Sequence, residues 1–219
     1  MHVATKVALV GAALLAAFAL LVALRQTPPS SAGTSPGQAP PMTAQQRAGT
    51  LTFDGVNPQD QRVILDAVAA ARPEARRLID IVDGAVTIRV MDTGATAAGW
   101  TQTSGAGYEV AIDLAKVNQT LGRRGVIRTV LHELGHVVDF AIVPPALKAQ
   151  LDAQIPQGYG PCEAGQNDAA CAVRAERFAE TFSKWATGDI GAALEIGYRV
   201  PPPSTSLGDW GRPLAQLQG

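Results

Sequence analysis

Apolar side chains are spaced along this chain in three regimes. From Val7 to Leu24, eighteen apolar or glycine residues follow one another without a break, and residues 26–46 (QTPPSSAGTSPGQAPPMTAQQ) then hold almost no large side chain. From residue 47 onward apolar positions recur with the periods of folded structure. Asn57-Pro58 opens a helix, an N-cap residue before proline at the first helical position, and Val63, Ile64, Ala67, Val68 and Ala71 continue it. A second helix starts at Pro73, runs through Leu78, Ile79 and Val82, and stops at Asp83-Gly84. Residues 85–91 (AVTIRVM) read as a strand, and Gly99–Thr103 and Tyr108–Ile112 flank Ser104-Gly105-Ala106-Gly107 as a hairpin. Three more helices are expected over Arg124–Ala141, Ala146–Ala153 and Ala172–Thr187. Strands come early and helices dominate afterwards, which predicts an α+β fold without regular βαβ alternation.

This patterning divides the chain into residues 1–25, 26–46 and 47–219. The first is a signal peptide or an N-terminal membrane anchor. Eighteen helical residues rise about 27 Å, close to a ~30 Å hydrocarbon core, which suits an anchor; Ser30-Ser31-Ala32 offers a small-x-small cleavage site, which suits a signal. Both readings stand, and Lys6 and Arg25 flank the run symmetrically, so charge bias does not set its orientation. The second segment has five of the fifteen prolines and no charge, the composition of an extended linker that cannot offset its ordering entropy by burial. The third is long enough for one domain.

Charge narrows the partners. Of 18 bases, Lys6 and Arg25 precede residue 47, so the domain sets 16 against all 19 acids, a net of −3. Phosphate recognition needs clustered Lys and Arg, so nucleic acid is not an expected partner. The two cysteines, Cys162 and Cys171, lie in a loop-like stretch; in an oxidising compartment they would close a short disulfide ring. The alternative is a pair of metal thiolates, which usually sit closer together. Targeting segment, linker and disulfide together point outside the cytoplasm.

Residues 132–136 read His-Glu-Leu-Gly-His. On a helix His132 and His136 lie about 40° apart on one face, so both imidazoles can reach one zinc ion, with Glu133 beside them as candidate general base. Ile127, Val130, Leu134, Val138 and Ala141 form the apolar back of that helix. The chain has three histidines, and both outside the targeting segment belong to the motif. A catalytic zinc needs a third protein ligand. The elongated motif with a third histidine is excluded, since Asp139 and Ile142 occupy its Gly and His positions. In Ala175-Glu176-Arg177-Phe178-Ala179-Glu180-Thr181-Phe182, Glu176 and Glu180 share one face, opposite Phe178, Phe182 and Trp185. Such a helix suits a place beside the metal.

The stretches His132–Asp139 and Glu176–Phe182 resemble the lethal-factor-like zinc peptidases, which include the catalytic domain of anthrax lethal factor and the Pro-Pro endopeptidases. The match covers those two stretches. The resemblance implies a zincin-like domain, with a small antiparallel or mixed sheet, the metal helix and a following Glu-bearing helix. It implies one Zn2+ per chain on His132, His136 and Glu176, with Glu133 activating water and Asp139 and Glu180 supporting the site. Asp139 faces the way His136 does, which allows a hydrogen bond to an imidazole; direct ligation is its alternative role. The family's oxyanion-stabilising tyrosine has no match, because the aligned position is Ala169; Tyr159 is the nearest candidate and Tyr198 another. By the same resemblance Tyr108–Ile112 is the strand expected to pair with substrate, with a plain internal strand as alternative.

The expected activity is an extracytoplasmic zinc endopeptidase acting on peptide or protein substrates. A non-catalytic envelope domain using zinc to staple helices or bind a partner is the competing reading.

Overall fold

A four-stranded mixed sheet and six α-helices make up the described residues, 51–92, 97–156, 173–190 and 200–218, of the computed structural model. The segments 1–25 and 26–46, Tyr159, Tyr198, Cys162 and Cys171 lie outside the described residues. Among the described residues no helix is long and apolar enough to cross a membrane.

The expected α+β class is present. Strand β1 (Thr52–Phe53) is followed by helices α1 (Pro58–Ala69) and α2 (Pro73–Val82). The Asn57 side chain caps α1 by accepting from the backbone N–H of Gln59 at 3.0 Å and Asp60 at 2.9 Å, as its place before proline predicts. Strand β2 (Val86–Val90) and the hairpin β3 (Gly99–Ser104) and β4 (Gly107–Ile112) follow. The sheet order is β1-β2-β4-β3, with β2 parallel to both β1 and β4, and β3 antiparallel to β4. Val110 pairs with Ile88 on one side and Thr101 on the other, so β4 is interior. That corrects the expectation of a substrate-pairing edge at Tyr108–Ile112: β4 has no open side, and the edge next to it is β3.

Helix α3 (Leu114–Ile142) starts ten residues before the expected Arg124. Asp113 caps it through the N–H of Lys116 at 3.0 Å, and the helix breaks at Gly122, whose φ of 63° is left-handed. The sequence reading found only the part after that break. Helices α4 (Pro145–Asp152), α5 (Arg174–Thr187) and α6 (Leu207–Ala215) complete the fold. α3 is its centre, packing most extensively on α5 and also meeting α1, α2, β3 and β4. Accordingly Val130, Leu131, Leu134, Val137 and Val138 are all fully buried, a wider apolar surface than one stripe. α6 was not anticipated, yet its Trp210 is fully buried and donates to the Leu151 carbonyl at 3.3 Å.

Candidate metal centre

The centre forms where α3 and α5 approach closely. A Cβ on Gly135 would stand 3.0 Å from Phe182 Cδ1 and 3.3 Å from Ala179 Cα, so the small residues at 135 and 179 set the helix separation. Behind α5, Phe178, Phe182 and Trp185 pack with Trp210 of α6, at ring-centroid distances of 5.6 Å for Phe178–Trp210 and Phe182–Trp185. That aromatic wall fixes the rotation of α5 and leaves Glu176, Glu180 and Lys184, each one turn after the last, facing α3.

The two helices run antiparallel, and their facing rows interlock. His132 Nε2 lies 3.1 Å from Glu176 Oε2, and His136 Nε2 lies 3.4 Å from Glu176 Oε1. Donor atoms of His132, His136 and Glu176 fall within 4.8 Å of one another, a group that could hold a metal ion. The imidazoles meet edge to face with centroids 4.8 Å apart, and Phe140 stacks on His136 at 5.8 Å. His132 Nδ1 lies 3.4 Å from Glu180 Oε2, so the ring is addressed from both sides. This places Glu180 against an imidazole rather than among the converging atoms.

Glu133 lies about 100° round α3 from His132 and about 60° from His136, and its carboxylate leans toward the sheet. Thr101 Oγ1 on β3 donates to Glu133 Oε2 at 2.7 Å and lies 3.1 Å from the Glu133 carbonyl. Gly99 leaves room for that carboxylate, since a Cβ there would stand 2.7 Å from Glu133 Oε1. Glu133 is 5% exposed, and the edge strand β3 runs directly beside it.

Electrostatics follow from the crowding of carboxylates. Burial alone would lower the pKa of His132, but hydrogen bonds to Glu176 and Glu180, with Glu133 nearby, raise it to about 10. Burial opposes ionisation of Glu176, yet the two imidazoles hold it well below the usual carboxylate range. Glu180 is likewise held low against burial by His132, Arg128 and Lys184. A proton on His132 therefore stands where a cation's charge would be welcome.

Asp139 occupies a different place from the one expected. Its carboxylate, 0% exposed, takes two hydrogen bonds from Arg174 at 3.0 and 2.5 Å and lies 3.7 Å from Lys148 Nζ. The buried Nδ1 of His136 makes no hydrogen bond. The hydrogen bond to an imidazole is thus corrected: two cations draw the carboxylate toward α4 and the start of α5. Asp139 thereby ties the first turn of α5, which carries Glu176, to α3. It also pushes the buried Tyr108 phenol up, after burial itself.

The sequence reading missed Arg128, Lys184, Arg174, Thr101 and Gly99. Arg128 did carry a signal, standing one turn before His132 as Lys184 stands one turn after Glu180. Thr101 and Gly99 carried none, because their partner is 32 residues or more away. No family model, curated protein or solved structure matches this chain.

Proposed function

We propose that this chain is a zinc endopeptidase with a zincin-like domain, working outside the cytoplasm. The observation that carries the reading is the convergence of His132 Nε2, His136 Nε2 and the Glu176 carboxylate, with Glu133 held against the adjoining edge strand. Two imidazole nitrogens and one carboxylate oxygen are a donor set that suits Zn2+, whereas Ca2+ and Mg2+ take oxygen shells. When bound, the ion supplies Lewis acidity that lowers the pKa of a water and polarises a carbonyl.

The residues do the rest. Glu133 takes the proton of the attacking water and passes it to the leaving amine, while Thr101 orients its carboxylate. The side of β3 away from β4, which pairs with no strand among the described residues, offers backbone groups to an extended peptide, which would then lie along the strand that holds the general base. Tyr159, with Tyr198 as alternative, is proposed to donate a phenol to the developing oxyanion. The resemblance to lethal-factor-like peptidases supports the reading through the same residues. The N-terminal apolar run supports a membrane-anchored or secreted chain, and a Cys162–Cys171 disulfide fits that compartment.

The test is cleavage of a peptide library by wild type and by Glu133→Gln, with zinc content measured in both. The proposal expects chelator-sensitive cleavage in the wild type and none in a variant that still holds zinc. Equal cleavage by both would reject Glu133 as base.

A further inference from the structure

Arg128 and Lys184 are buried cations, 2% and 3% exposed, behind the metal centre. Arg128 stands one turn before His132 on α3, and every hydrogen bond of its guanidinium runs to α5 or just beyond it. Nε donates to Ser183 Oγ at 3.0 Å, Nη1 to the Asp189 carbonyl at 3.2 Å, and Nη2 to Glu180 Oε1. Lys184 Nζ lies 3.3 Å from the same Glu180 Oε1 and donates to the Val200 carbonyl. The other oxygen, Oε2, faces His132 Nδ1 at 3.4 Å.

The carboxylate is therefore divided: two cations grip one oxygen and the imidazole addresses the other. We infer that Arg128 and Lys184 are positioning residues for the ligand His132, acting through Glu180. With Oε1 held twice, Glu180 cannot rotate, and Oε2 stays aimed at Nδ1. An Nδ1–H donating to that oxygen leaves the Nε2 lone pair turned toward Glu176, which is the tautomer a metal ligand needs. A helix-docking ion pair would need one cation for one carboxylate, and burying a second is costly without further use. The second cation finds one in geometry: Arg128 reaches Glu180 Oε1 from α3 and Lys184 reaches it from α5, so the oxygen is fixed from two directions. The inference rests on the metal-centre reading and not on peptidase activity.

The test measures zinc affinity of the full chain by chelator competition, with the visible spectrum of the Co2+-substituted protein as a second readout. Variants are Lys184→Met, Arg128→Met and Arg128→Lys. Arg77→Met is the control, since Arg77 docks α2 on α6 through the Leu217 and Ala215 carbonyls and removes stability away from the site. The expected result is a loss of about 10–100-fold in zinc affinity and a changed Co2+ spectrum for both Met variants, partial recovery in Arg128→Lys, and neither change in Arg77→Met despite a lower Tm. Should Arg128→Met fail to fold, Lys184→Met and Arg128→Lys decide the question. Folded variants with wild-type affinity and spectrum overturn the inference while the metal centre stands. A wild-type chain that binds no zinc overturns both. A wild-type chain that binds zinc but cleaves nothing, with the affinity losses seen, upholds the inference and rejects only the peptidase.

Discussion

The two sides of α3 are built from opposite materials. On the α5 side, charged groups interlock in sequence, Arg128 with Glu180, His132 with Glu180 and Glu176, His136 with Glu176, and Asp139 with Arg174. On the β3 side, Glu133 meets one hydroxyl, one missing Cβ and a strand edge. The first side is locked by many partners and suits the holding of an ion. The second is held lightly and lies next to backbone that a substrate could reach. Under the proposed function the comparison makes ion holding and proton transfer separable, because the residues proposed for each lie on adjoining faces of one helix.

That separation can be broken by mutation. Glu133→Gln should lower kcat by about 10²–10⁴-fold with zinc content unchanged, measured by peptide turnover beside metal analysis. Asp139→Ala acts on the other side: it strands Arg174 and should cost about 2–4 kcal/mol in denaturant unfolding, below the full penalty of a buried pair because Arg174 is a third exposed. Zinc should also bind more weakly, since the first turn of α5 is freed. Gly99→Ala puts a methyl against Glu133 Oε1 and should lower kcat by about 10–10²-fold with zinc retained. Loss of zinc instead would show that the two sides are coupled. Thr101→Val removes the hydroxyl that reaches both the carboxylate and the carbonyl of Glu133 and should lower kcat by about fivefold, with KM for a short peptide little changed.

A pH series sharpens the same contrast without mutation. His132 is buried, but Glu176 and Glu180 raise its pKa to about 10, so in the metal-free chain its proton adds stability that is complete below the ordinary value near 6.5 and disappears as pH rises toward 10. Glu176 is lowered, so its contribution holds above about pH 4.5 and is lost in acid. Zinc must displace the His132 proton, so the rise in Tm on adding zinc should grow from pH 6.5 to pH 9. A rise independent of pH would contradict the shared use of His132 by proton and metal.

How much was legible in sequence depended on range. The pair His132 and His136, the neighbour Glu133 and the row Glu176, Glu180 are all local helical spacings, and each stands where the spacing put it. So do the caps at Asn57 and the hairpin around Gly105. What failed needed partners far along the chain. The strand order makes β4 interior because β2 pairs with the side that its hairpin partner β3 leaves open, which periodicity cannot reveal. Asp139 was placed on the correct face, but Arg174, 35 residues on, claims its carboxylate. The stretch Leu114–Leu121 is not legible as part of the metal-bearing helix because the apolar pattern loses its phase across the Gly122 break. Helix α6 is short and holds Pro213, so its place in the core rests on Trp210 meeting α4 and α5.

The most direct trial is zinc K-edge X-ray absorption on the chain loaded with one equivalent of zinc. The account predicts two imidazoles at about 2.0–2.1 Å, further light-atom scattering at similar range, and no sulfur. Sulfur near 2.3 Å, pointing to Cys162 and Cys171, or the absence of imidazole scattering would contradict it.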